Sequence, residues 1–74
     1  MIIDEIKVKT KKELDALFEK LHKEGFTWEG NKNILEHKYF VQFYNNVAYI
    51  HIHDNKIITW YSEHIPRCEW EKLA

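Results

Sequence analysis

Residues Lys38–Ser62 constrain this chain more than any other stretch. Two turn signals divide it, Asn45-Asn46 and Asp54-Asn55-Lys56, and the segments between carry Val, Ile, Tyr, Phe and Trp at strand spacing. Asn tolerates positive φ, so Asn45-Asn46 suits a two-residue hairpin turn. The expectation is three consecutive antiparallel strands, roughly 38–44, 47–53 and 57–62, apolar on both faces. A sheet in a small chain commonly turns one side to water. An apolar second side therefore needs a cover, and the nature of that cover is the main question the sequence poses.

A turn at Asn45-Asn46 fixes the register. Phe43 then faces Ala48, Val41 faces Ile50 and Tyr39 faces Ile52, and this face is expected to meet the core. The opposite face carries Tyr44 beside Val47, Gln42 beside Tyr49, Phe40 beside His51 and Lys38 beside His53. In the last strand either Ile57, Thr59 and Tyr61 or Ile58 and Trp60 point inward, and both sets are apolar enough to serve.

Upstream, Ile2, Ile6 and Val8 share one parity while Glu5, Lys7 and Lys9 take the other, which describes a half-buried strand. A helix over residues 11–24 follows. Thr10 is its N-cap, and Glu13 three residues on completes a capping box. Leu14, Leu17, Phe18 and Leu21 make one apolar stripe. Gly25 supplies the left-handed residue that ends the helix, and Phe26 folds back on Leu21. Residues 26–34 read as a turn region with a very short strand at Phe26–Glu29. Pro66 marks the end of the last strand, and Trp70 and Leu73 sit in the tail that follows.

The expected fold is α+β, one helix on one face of a small antiparallel sheet in the order β-α-β-β-β, forming a single domain over residues 1–74. A chain of 74 residues buries only about 60% of its unfolded surface. Eleven aromatic rings give such a small core much buried area per residue. Their first expected role is therefore core filling.

Charge excludes more than it suggests. Eleven Lys and Arg against twelve Asp and Glu leave a net charge of −1, whereas duplex nucleic-acid binding favours a basic excess. Lys7, Lys9, Lys11 and Lys12 are interleaved with Asp4, Glu5 and Glu13, which reads as a solvated edge. Cys68 is the single cysteine, so no internal disulfide can form, in keeping with a reducing cytoplasm. Met1-Ile2-Ile3 runs at once into Asp4 and Glu5, unlike a signal peptide, and no apolar run nears the roughly 20 residues of a membrane span. The expected location is the cytoplasm.

Candidate chemistry is sparse. His51 and His53 lie on one side of one strand at a spacing that suits two zinc ligands, with His37, His64, Glu63 or Cys68 as a third. On an aromatic sheet face, two imidazoles more often stack or hydrogen-bond, so no metal and no cofactor is expected. Cys68 with His64 is the one nucleophilic pairing, and it lacks an evident orienting group. Gly25 and Gly30 are the two glycines, too few for a phosphate-binding loop. An enzyme is not expected, and no catalytic residues are assigned.

The second sheet face is a better lead. One helix is about 10 Å wide, and four strands at about 4.8 Å spacing span nearly twice that. A single helix covers one face at most. The expected recognition residues are Phe40, Tyr44, Tyr49, His51, His53 and Trp60, since Tyr and Trp dominate binding hot spots. Three covers compete: the C-terminal tail with Ile65, Trp70 and Leu73 as plugs, a second copy of the chain, or a foreign partner. If the face is open, Tyr49→Ala or His51→Ala should weaken binding with little change in melting temperature.

Residues Lys9-Thr10-Lys11-Lys12-Glu13-Leu14 and Glu24-Gly25-Phe26-Thr27-Trp28 resemble small accessory proteins encoded by phages and prophages of Gram-positive bacteria. The resemblance spans about residues 6–30. It implies a protein acting stoichiometrically in the cytoplasm of a bacterial host, for example by masking a host enzyme or a defence system. The expected activity is thus binding and inhibiting or redirecting a host protein through the aromatic sheet face. The alternative is an oligomer that sequesters a small nucleotide, with rings and histidines on the base and Lys38 or Arg67 on phosphate.

Overall fold

The computed structural model describes residues 1–73. The chain runs through strand β1 (Ile2–Val8), helix α1 (Lys11–Lys23), the single-turn helix α2 (Ile34–His37), a 3₁₀ turn (Lys38–Phe40), strands β2 (Ala48–His53) and β3 (Ile58–Tyr61), and a 3₁₀ segment (Arg67–Leu73). The fold is α+β, with α1 packed on an antiparallel sheet of order β1-β2-β3.

The ends of α1 follow from local chemistry. The backbone N–H of Glu13 donates to Thr10 Oγ1 at 3.1 Å. The Glu13 carboxylate reaches back one residue further than a standard capping box, accepting from the N–H of Lys9 at 2.9 Å. At the other end Gly25 adopts φ +89°. The N–H of Phe26 donates to Leu21 O at 3.0 Å and that of Gly25 to His22 O at 3.1 Å, which is the Schellman pattern.

Leu14, Phe18 and Leu21 are buried and meet Val8, Ala48, Ile50, Ile52 and Ile58, with Ile34 and Val41 closing the core. Directly paired strand residues project to one side of a sheet. Ile6, Ile50 and Trp60 form one such row, and Ile52 pairs with Ile58. The register of the last strand is therefore the one that turns Ile58 and Trp60 inward. The Asp54-Asn55-Lys56 turn is present, with Lys56 at φ 67°.

The stretch expected as a strand over 38–44 is different. Asn45 and Asn46 form the expected turn, at φ 54° and 64°, and Tyr44 and Val47 exchange both backbone hydrogen bonds at 3.0 and 3.1 Å. Pairing stops at that bridge. A central strand has only two neighbours, and β1 and β3 already occupy both sides of β2. Asn33 caps α2 by accepting from Leu35 N–H at 2.9 Å, and the chain coils through residues 34–40. This drives Ile34 into the core with no exposure at all. Lys38 is held against α1 by an ion pair with Asp15 at 3.1 Å. Tyr39, expected to face the core, is 80% exposed.

A bulge in β1 between Ile2 and Asp4 is the second departure. It flips Ile2 out of parity with Ile6 and Val8 and sets it opposite His53. Ile2 is buried, but outside the main core. The turn region keeps a trace of its expected short strand: Thr27 bridges Ile57, donating to Lys56 O at 2.9 Å and accepting from Ile58 N–H at 3.0 Å.

Candidate functional site

The second face is built in rows across the sheet. Lys7, Tyr49 and Tyr61 form one row, and Glu5, His51 and Thr59 form the next. Part of this face lies under the chain's own tail. The ring of Trp70 sits 6.4 Å from that of His51, and the ring of Tyr61 4.7 Å from it. His51 has no solvent exposure.

Glu5 organises this covered region. Its carboxylate accepts from His51 Nε2 at 2.8 Å, from the backbone N–H of Ile65 at 3.0 Å, and from His64 Nδ1. Its side chain is 8% exposed. Burial pushes its pKa up, but the Ile65 N–H and the two imidazoles outweigh burial and hold it below the ordinary glutamate value. Because a carboxylate only accepts, His51 carries its proton on Nε2, and His51 Nδ1 is buried with no hydrogen-bond partner. Sequence parity reads Glu5 as a solvated position. The signal that finds it is the pairing of β1 with β2, which sets Glu5 opposite His51.

The expected recognition residues are thus dispersed. His51 is buried and unavailable to a partner. His53 is half-buried and bonded to Thr59 Oγ1 at 2.9 Å. Burial, together with the N-terminal ammonium and His51, holds its pKa below the usual histidine value. Trp60 lies on the inner side, packed against the main core. Tyr49 is half-buried, its ring 6.1 Å from that of His64. Phe40 is not beside His51: it sits on the 3₁₀ turn, 64% exposed, with its ring 5.5 Å from His37, which stacks on Trp28 at 6.2 Å. Tyr44 is 50% exposed and donates to Gln42 Oε1 at 2.7 Å.

The exposed rings Tyr39, Phe40 and Tyr44 fall on one six-residue segment. Beside it runs a groove of about 130 Å³, lined by Lys11, Asp15 and Lys38 and by Leu14, Tyr39, Val41 and Phe43. The Asp15 carboxylate holds the Lys38 pKa above the usual lysine value. Among the described residues, Lys11 has no ion-pair partner.

Among the described residues no group of three or more His, Cys, Asp or Glu side chains could hold a metal ion. Cys68 is exposed, and no hydrogen bond joins it to His64. Among the described residues no helix is long and apolar enough to cross a membrane. Comparison with known protein families, characterised proteins and solved structures finds no match to this chain.

Proposed function

We propose that this protein acts by binding another protein, without catalysis, and that segment 39–44 carries the contact. The supporting observation is the exposure of Tyr39, Phe40 and Tyr44 at 80%, 64% and 50%. The neighbouring chain buries Ile34 and Val41 completely or nearly so, yet leaves these three rings in water. Large rings on a rigid support are what binding hot spots are made of. The segment is anchored at both ends, by α2 with its Asn33 cap and by the Asn45-Asn46 turn, so little ordering entropy opposes association. The groove between Tyr39, Phe43 and Lys11 offers a seat for one apolar side chain.

The likeness of residues 6–30 to phage and prophage accessory proteins supports a host protein as the partner, masked or redirected by a stoichiometric complex. A component of a host defence system fits this reading.

Capture from a Gram-positive host lysate tests it when the wild-type chain is run against a Phe40→Ala/Tyr44→Ala double variant. The expected result is one stoichiometric protein retained by the wild type and lost by the variant. The melting temperature should move by no more than about 4–8 °C, since two exposed substitutions at roughly 0.5 kcal/mol each sum to about 1 kcal/mol. Equal capture by both chains overturns the assignment. A nucleotide released on denaturing the purified protein points instead to an oligomeric nucleotide-sequestering role.

A further inference from the structure

We infer that residues His64–Leu73 form a strap, latched on the Glu5 carboxylate, that swings off the second sheet face as one unit while the main core stays folded. Four observations meet here. Among the described residues, every hydrogen bond from the strap to the body ends on Glu5, from His64 Nδ1 and from the Ile65 N–H. The remaining bonds of the strap are internal: Trp70 Nε1–H donates to Ile65 O at 2.8 Å, and Glu69 N–H to Pro66 O at 2.9 Å. Arg67 also lies over the Trp70 ring at 5.6 Å. The strap is therefore a self-bonded body whose hydrogen bonds to the rest of the fold converge on one carboxylate.

Its packing is equally local. No residue of Arg67–Leu73 is fully buried, and no strap residue belongs to the main core. An open groove of about 260 Å³ runs between Met1–Ile3 and the strap residues Arg67, Trp70 and Glu71. This groove is open to solvent, and Met1 and Ile3 on its wall are 53% and 52% exposed, so the strap is not sealed against the start of β1. The closed state also leaves His51 Nδ1 buried without a partner. Opening brings water to that nitrogen and removes the penalty of an unmet hydrogen bond. The pivot is the bend at Ser62–Glu63, directly after β3 ends. Opening uncovers Ile2, Tyr49 and His51, a surface distinct from segment 39–44 and independent of the function proposed for that segment.

Native-state hydrogen exchange of the full chain against urea tests the strap. Its reporter is the amide of Ile65, the strap N–H that is bonded to the body. The amides of Ile50 and Ile52 in the central strand report the core. In the wild type the Ile65 amide should exchange through an opening at least about 100-fold more populated than the opening that frees Ile50 and Ile52. Glu5→Gln should raise strap exchange about tenfold further, by removing charge-assisted bonds. Core exchange should rise at least as much, because both openings start from the same weakened closed state, and the strap opening should remain the more populated of the two. His64→Ala, which alters only an exposed side chain, should raise strap exchange by less. The Ile65 amide and the core reporters exchanging together in the wild type, with one urea dependence, would overturn the inference. So would strap exchange unmoved by His64→Ala and, where it folds, by Glu5→Gln.

Discussion

Glu5 and His64 stand 59 residues apart in the chain, and the carboxylate of the first accepts from Nδ1 of the second. This bond joins β1 to the segment that follows β3, the two edge strands of the sheet. The same carboxylate takes His51 Nε2 from the central strand. One acidic side chain thus ties both edges and the centre of the second face together.

That arrangement predicts an acid limb in stability. The groups facing Glu5 are His51 from β2, His64 and the Ile65 N–H from the tail, and together they hold its pKa below the ordinary value. The unfolded chain therefore takes up this proton at a higher pH than the folded one. The Glu5 contribution is complete well above the unfolded value of about 4.3 and fades as pH falls through the folded one. Urea midpoints of wild type and Glu5→Gln should differ at pH 7 and draw together as pH falls below about 4.3 and through the lower folded value. A difference that stays constant across that range would mean the charge of Glu5 is immaterial.

His51 behaves as a core residue in this fold. His51→Ala removes a ring with no exposure and one of the donors to Glu5. The expected cost is about 2–4 kcal/mol, from the cavity and the lost charge-assisted bond. Equilibrium urea unfolding measures it, and a cost under about 0.5 kcal/mol, the range of exposed sites, would place the ring in solvent. This reverses the expectation from sequence, in which His51 faces outward.

The contrast shows where sequence reasoning reaches and where it stops. Helix α1 was legible because Thr10, Glu13, Gly25 and Phe26 act within a few residues of one another, and short-range chemistry leaves its pattern in the sequence. Both turns were legible for the same reason. The strand expected over 38–44 failed because the alternation of Tyr39, Val41 and Phe43 carries no information on which strand occupies the vacant side of β2. β1 takes that side, and the Asn33 cap coils the orphaned stretch. The same gap hid Glu5, whose role exists only once β1 lies beside β2. Of the expected recognition set, Phe40 and Tyr44 are exposed because they left the sheet, whereas Trp60 faces inward because β3 pairs Trp60 with Ile50.

The Asn45-Asn46 turn offers a stabilising change. Both residues adopt left-handed backbone, the geometry of a type I′ turn, where glycine is preferred at the second position. Asn46→Gly should raise stability by a few tenths of a kcal/mol, balanced between better turn geometry and a more flexible unfolded chain. Chemical denaturation of the two chains side by side reads the sign. A loss above about 0.5 kcal/mol would mean that the Asn46 side chain contributes more than its backbone conformation.

Gly25 separates backbone strain from crowding. A Cβ placed there meets no atom within 4 Å, so Gly25→Ala has room. Its φ of +89° nevertheless lies where an L side chain is disfavoured. The expected cost is therefore strain alone, about 1–2 kcal/mol, set against a small gain from a stiffer unfolded chain. Thr10→Ala at the opposite end of α1 should cost about 1 kcal/mol through loss of the cap to Glu13 N–H. The two sites lie at opposite ends of a 13-residue helix, roughly 20 Å apart, so their effects should add in the double variant. Urea unfolding of the four chains checks this. A double variant well short of additive would mean that α1 frays locally from one end before the domain unfolds, which separates helix stability from that of the sheet.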